Sequence, residues 1–214
     1  MTYKIKPTTD NFKTHMLFPT VVATVDNTSI PRQDHELVLN SEYVVQSKYG
    51  AFPTTKNKRI LDTVPSIKAW IQLQLDKYAR DIMGSEKLQF TQSWAIKHEN
   101  IPQSIFTHSH ANSIISGSYY IDAPTGSEAL TFIKPSYVGG GPVVEYEKDF
   151  QNKPWLYDEI KFGANTGRLI LFPSNLQHAV MGYQTMRQRR CVLAFNTWFA
   201  GPIGTEEGLT RLEL

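Results

Sequence analysis

The chain has 214 residues, 41% of them hydrophobic and 20% charged, which excludes a wholly disordered protein and suffices for one domain with a sizeable core. Its 22 basic and 20 acidic residues leave a net charge of +2, too small for the basic footprint of a nucleic-acid binder. No apolar run approaches the ~20 residues of a membrane span, and a single cysteine, Cys191, excludes an intramolecular disulfide and any multi-cysteine zinc site.

The residues to about 17 are polar, with no apolar core and no small-residue cleavage site, so no secretory leader is expected. Together with the lone cysteine this suits a reducing compartment, and the expected location is cytoplasmic. Leu17 to Val25 is β-branched and reads as a strand; Pro31 to Tyr49 has room for one helix. Asp62 to Met83 is the strongest helix, because Ile67, Ile71, Leu75, Tyr78, Ala79 and Ile82 form an amphipathic stripe. Asp62 or Thr63 is the expected cap, Pro65 suits the first turn, and Gly84 is the expected stop.

From Leu88 the pattern changes to short runs rich in Val, Ile, Tyr, Phe and Thr between Pro, Gly and Asn turns. The runs are Leu88–Lys97, Ser104–His110, Ile114–Ile121, Leu130–Ile133, Arg168–Phe172, Ala179–Gly182 and Arg190–Phe199. Strands in this sequence, with no helix between them, predict an antiparallel sandwich or barrel. The longest gap, Pro135 to Asn165, is expected to be a functional lid or a peripheral hairpin. The aromatics Phe106, Phe132, Phe172, Phe195, Trp94 and Trp198 are expected in the core.

Six histidines are present. His15 and His35 lie in polar segments and read as solvated, and His98 as part of a turn at a strand end. His108 and His110 are two apart on a predicted strand, so both imidazoles face one side and can converge on one ion. His178 opens a strand after the Pro173-Ser174-Asn175 turn, a position facing a barrel mouth or an ordinary rim. Arg187 and Arg189 read as a solvated turn. Arg190 enters an apolar strand with no Asp or Glu within ten residues on either side, and a buried guanidinium needs an anionic partner. A ligand carboxylate, gripped by the guanidinium fork, meets that need. Cys191, on the opposite parity, reads as a packed thiol.

The run His108-Ser109-His110-Ala111-Asn112-Ser113-Ile114-Ile115-Ser116-Gly117-Ser118-Tyr119-Tyr120-Ile121 resembles the His-x-His, then Ser-Gly-x-Tyr-Tyr signature of a group of iron(II)- and 2-oxoglutarate-dependent oxygenases found in bacteria and cyanobacterial phages. Gly167 to Ser174 with His178, and Arg190 through Phe195-Asn196, resemble that group's second and third blocks, and Leu17-Phe18-Pro19-Thr20 also matches. The prolyl hydroxylases are wider relatives.

The resemblance implies a mostly β double-stranded β-helix, or jelly roll. One domain would span 1–214, with two or so supporting helices at approximately 31–84 and a β body at approximately 88–200. It implies Fe(II) held by His108, His110 and His178, and 2-oxoglutarate held by Arg190 and Tyr120. Ser116 shares parity with Tyr120, and Asn196 with Arg190, so both are expected in the co-substrate pocket. His110 stands where the wider superfamily has a carboxylate, and Asn112 is an alternative, weaker ligand. Val192 stands where many relatives carry Ser. The implied activity is a dioxygenase coupling decarboxylation of 2-oxoglutarate to hydroxylation of a small-molecule or peptidyl substrate. A three-histidine dioxygenase without 2-oxoglutarate and a non-catalytic jelly roll are the alternatives.

Overall fold

The computed structural model describes residues 18–27, 29–45, 52–84, 87–98, 105–124, 126–127, 130–134, 157–180 and 190–213. His15, Arg187, Arg189 and residues 135–156 of the expected lid lie outside them. In chain order the elements are β1 (Ala23–Asp26), α1 (Arg32–Leu39), β2 (Tyr43–Val45), β3 (Pro53–Thr55), α2 (Pro65–Tyr78), β4 (Leu88–His98), β5 (Ile105–His108), β6 (Ile115–Asp122), β7 (Leu130–Ile133), β8 (Glu159–Phe162), β9 (Arg168–Pro173), β10 (His178–Val180) and β11 (Arg190–Phe199). No described helix is long and apolar enough to cross a membrane.

Helix α2 forms where its stripe predicts, with Ile67, Ile71, Leu75 and Tyr78 buried. Its entry differs from expectation. A 3-10 turn occupies Ile60–Thr63, so Val64 takes the cap position without a side-chain bond and Pro65 is the first helical residue. Asp62 instead pairs with Arg59 and Lys68, and the Thr63 hydroxyl donates to Ile60 O. A wide π turn, Ala79–Met83, ends the helix at Gly84, whose φ of 63° is left-handed. That wider turn rotates Ile82 off the stripe and leaves it 47% exposed.

The strands form two sheets that face each other. The larger has the order β1-β9-β6-β11-β4-β3-β2 and the smaller β5-β10-β7-β8. Alternation along β11 shows how one strand serves two layers. Cys191, Leu193 and Phe195 pack with the helical residues Ile67, Ile71 and Leu75 in one core. Val192 packs with Tyr120, Ile170, Phe132 and Val180 in a second core between the sheets. Arg190, Ala194 and Asn196 share its side and border the cavity there. Burial on both faces explains why β11 reads as an apolar run.

Several expectations are corrected. The short strands β2, β3 and β8 carry no clear period-2 signal; β8 lies within the segment expected to be a lid or a peripheral hairpin and pairs antiparallel with β7 at the edge of the smaller sheet. Phe106 is 84% exposed, because β5 is an edge strand of the smaller sheet. His35 is half-buried, with a ring nitrogen 2.9 Å from Tyr119 Oη.

Gly117 lies opposite Phe195 in the β6–β11 register, and a Cβ there would fall inside the edge of the buried Phe195 ring. Gly117→Ala is therefore expected to cost about 1–3 kcal/mol, the usual range for overpacking. Urea denaturation measures it. A midpoint equal to wild type would show that the ring can retreat.

Candidate metal centre

Two strands and one turn build the site. His108 ends β5 and pairs in register with His178, the first residue of β10. His110 lies in the turn leading into β6, anchored where its backbone N–H donates to Ser174 O at 2.8 Å. The donor nitrogens of His108, His110 and His178 all lie within 4.8 Å of one another, a group able to hold a metal ion.

Hydrogen bonds select which nitrogen is offered. His108 Nδ1 lies 2.8 Å from Phe106 O, and His178 Nδ1 lies 2.9 Å from Leu176 O. His110 Nδ1 lies 2.5 Å from Asn196 Oδ1 and 2.9 Å from Ser116 Oγ. A carbonyl accepts, so these Nδ1 atoms carry the proton and Nε2 carries the lone pair. His108 and His110 bring their Nε2 atoms to 3.3 Å. Two nitrogens bound to one ion at about 2.0–2.2 Å would stand about that far apart. Burial lowers the pKa of His110, and lowers that of His178 to about 4, which favours the neutral, ligating form of both.

Behind His110 runs a hydroxyl chain. Ser116 Oγ lies 2.9 Å from Asn196 Oδ1 and 2.8 Å from Ser174 Oγ, which donates to Ser113 Oγ at 2.7 Å. Ser116 and Asn196 thus touch the His110 ring, a relation that strand parity alone did not reveal. Asn112 occupies the turn with φ 55° and is exposed. It does not line the adjoining cavity.

That cavity, of about 510 Å³, lies between the sheets and is bordered by all three histidines, Trp94, Phe172 and Arg190. Arg190 is 1% exposed and has no carboxylate within ion-pair distance among the described residues. Its guanidinium carbon sits 5.1 Å from the centre of the Tyr120 ring. Two buried polar atoms here lack hydrogen-bond partners among the described residues, Arg190 Nε and Tyr120 Oη. Buried polar groups are normally paired, so a guanidinium nitrogen left open on a cavity-lining arginine matches a ligand carboxylate.

The sequence reading missed His98. It ends β4, pairs in register with Arg190, and lies 3.3 Å from Arg190 through Nε2. The Phe52 ring packs 4.4 Å away between centroids. Burial and then the Arg190 charge push the His98 pKa down to about 3 from 6.5. Neutral His98 accepts a bond from the guanidinium and so aims it. The folded protein holds His98 neutral where the unfolded chain would protonate it, so stability falls as pH drops below 6.5 toward 3. The expected loss is about 1–2 kcal/mol between pH 6.5 and 5. His98→Gln, which keeps an acceptor, should flatten that dependence relative to wild type in urea titrations at both pH values. An unchanged slope would show that His98 does not titrate as derived.

The family model described as "Putative 2OG-Fe(II) oxygenase" matches residues 92–196. No curated protein matches the sequence. Among solved structures, the chain is similar to the epimerase SnoN in complex with Fe3+, alpha ketoglutarate and nogalamycin RO, at 12% identity over 83% of this chain and 78% of that one, TM-score 0.58. It is similar to a Pseudomonas putida prolyl-4-hydroxylase, at 13% identity over 85% and 94% of the two chains, TM-score 0.53. It is also similar to a Trichoplax adhaerens prolyl hydroxylase in complex with a hypoxia inducible factor peptide fragment, at 13% identity over 82% of each, TM-score 0.53. At such identities these likenesses establish the fold, a double-stranded β-helix with two helices on its larger sheet.

Proposed function

Since the chain belongs to the iron(II)- and 2-oxoglutarate-dependent oxygenase superfamily, we propose that it couples oxidative decarboxylation of 2-oxoglutarate to hydroxylation of a substrate held in the inter-sheet cavity. The observation that carries this reading is the presence, on one cavity, of three convergent Nε2 atoms and a buried Arg190 whose Nε has no partner among the described residues. When bound, iron(II) and 2-oxoglutarate would supply, with dioxygen as the oxidant, the oxidation of a C–H bond, one oxygen atom ending in succinate as carbon dioxide leaves and the other in the new hydroxyl.

The chain's own residues do the rest. His108, His110 and His178 would hold the metal at the cavity that all three line. Asn196 and Ser116 fix the His110 ring from behind through Nδ1, which orients its Nε2 toward the cavity. Arg190, aimed by His98, receives the far carboxylate of 2-oxoglutarate, and Tyr120 donates its hydroxyl to the same group. Val192, Phe172 and Ile96 keep that part of the cavity apolar, which strengthens the charge pair. A dioxygenase that needs no keto acid would have no use for Arg190.

The test is succinate formation from 2-oxoglutarate by the iron-loaded protein under reducing conditions, with and without a broad substrate panel. Its absence throughout, with 2-oxoglutarate failing to bind the metal-loaded protein, would remove this reading.

A further inference from the structure

Among the described residues lining the cavity, one charged group belongs neither to the histidines nor to the Arg190 cluster. Lys58, in the turn after β3, lines the same cavity. Its Nζ donates to Thr54 Oγ1 at 3.0 Å and to Thr55 O at 2.7 Å. Its own carbonyl accepts from Ser93 N–H at 2.8 Å, which fixes the residue beside the strand carrying Trp94. An ammonium has three N–H donors, so one remains beyond those two bonds. No Asp or Glu among the described residues lies within ion-pair distance of Lys58, and none lines the cavity. Burial alone lowers its pKa, with no counter-charge opposing the shift.

The charge balance of the cavity sharpens the point. Its three histidines are neutral ligands, so the protein contributes no negative charge to the centre. A divalent ion and Arg190 outweigh the two carboxylates of 2-oxoglutarate, and Lys58 adds to that surplus. A pocket with such a balance selects anionic molecules and rejects cationic ones. A single compact ammonium beside a threonine hydroxyl matches one carboxylate, whereas phosphate usually draws several donors.

We propose that Lys58 is the substrate-recognition cation of this cavity, and that the substrate is a small molecule or chain end carrying a carboxylate. Lys58 and Thr54 hold that carboxylate, and the body of the molecule lies along Trp94, whose ring centre is 6.0 Å from that of His110. The inference rests on the assignment of 2-oxoglutarate to Arg190.

The test uses N-acetylated amino acids and their carboxamides, titrated by calorimetry into zinc-loaded protein saturated with 2-oxoglutarate. At least one acid is expected to bind about 10- to 100-fold more tightly than its amide, the range of a hydrogen bond to a charged group. Lys58→Met should erase that preference, and Lys58→Arg should keep most of it. The proposal falls if no acid binds more tightly than its amide, or if the preference survives Lys58→Met. It also falls if Lys58→Met weakens 2-oxoglutarate itself, which would assign Lys58 to the co-substrate. Should 2-oxoglutarate fail to bind wild type, the oxygenase reading is lost while Lys58 is still decided. The same comparison on the zinc-loaded protein alone then supports it if the preference depends on Lys58, and overturns it if not.

Discussion

Arg190→Met is expected to weaken 2-oxoglutarate binding by about 150- to 5,000-fold while leaving metal uptake unchanged. The range corresponds to the roughly 3–5 kcal/mol cost of removing one partner of a buried charge pair. The guanidinium is buried, carries a Tyr120 ring against one face and a neutral His98 at one nitrogen, and finds no carboxylate among the described residues. The lower end of the range is favoured, since truncation also relieves the empty protein of an unmatched charge. Tyr120→Phe removes a single hydroxyl and should cost less, about 10- to 150-fold. Calorimetric titration of 2-oxoglutarate into zinc-loaded variants decides both. Wild-type affinity in Arg190→Met would place the far carboxylate elsewhere.

The second large effect concerns His110. Its replacement by Ala should lower metal affinity more than about 100-fold, as severely as His108→Ala or His178→Ala. Loss of a supporting hydrogen bond typically costs 10–100-fold, and Asn196→Ala should fall in that range. His110→Asp should retain binding, since it offers the carboxylate that wider relatives carry at this place. Competition with a chromophoric chelator measures all five variants. Near-wild-type affinity in His110→Ala would reduce the site to two histidines and a non-protein ligand.

How much of this was legible in the sequence varies with the origin of each feature. The β11 strand was readable to its ends, because burial on both faces writes itself as an apolar run. The His108, His110 and His178 grouping was readable from spacing and from the order of three motif blocks. His98 was not. Its burial comes from lying opposite Arg190 across a strand pair formed by residues far apart in sequence, while its own neighbours look like a turn. Lys58 was hidden for a similar reason, in a stretch too short and polar to show an element. Strand parity expected Ser116 and Asn196 in the co-substrate pocket; Asn196 lines the cavity, Ser116 does not, and the path of the turn after β5 brings the His110 ring onto both. Phe106 misled because a large aromatic was read as core on an edge strand with little to pack against.

The placing of the histidines also bears on how the domain holds itself shut. β5 is an edge strand of four residues, three of them exposed, so burial does little to retain it. Its last residue, its neighbour β10 and the turn crossing to the larger sheet carry one histidine each. Coordination of a single ion by all three would rivet an otherwise loose hem to both layers. A chain without its ion should therefore unravel first at this rim, with rapid amide exchange and protease nicking near β5 while α2 and β11 stay protected. Scarcity of iron would then be felt as a shorter lifetime of the protein, as well as a silent active site.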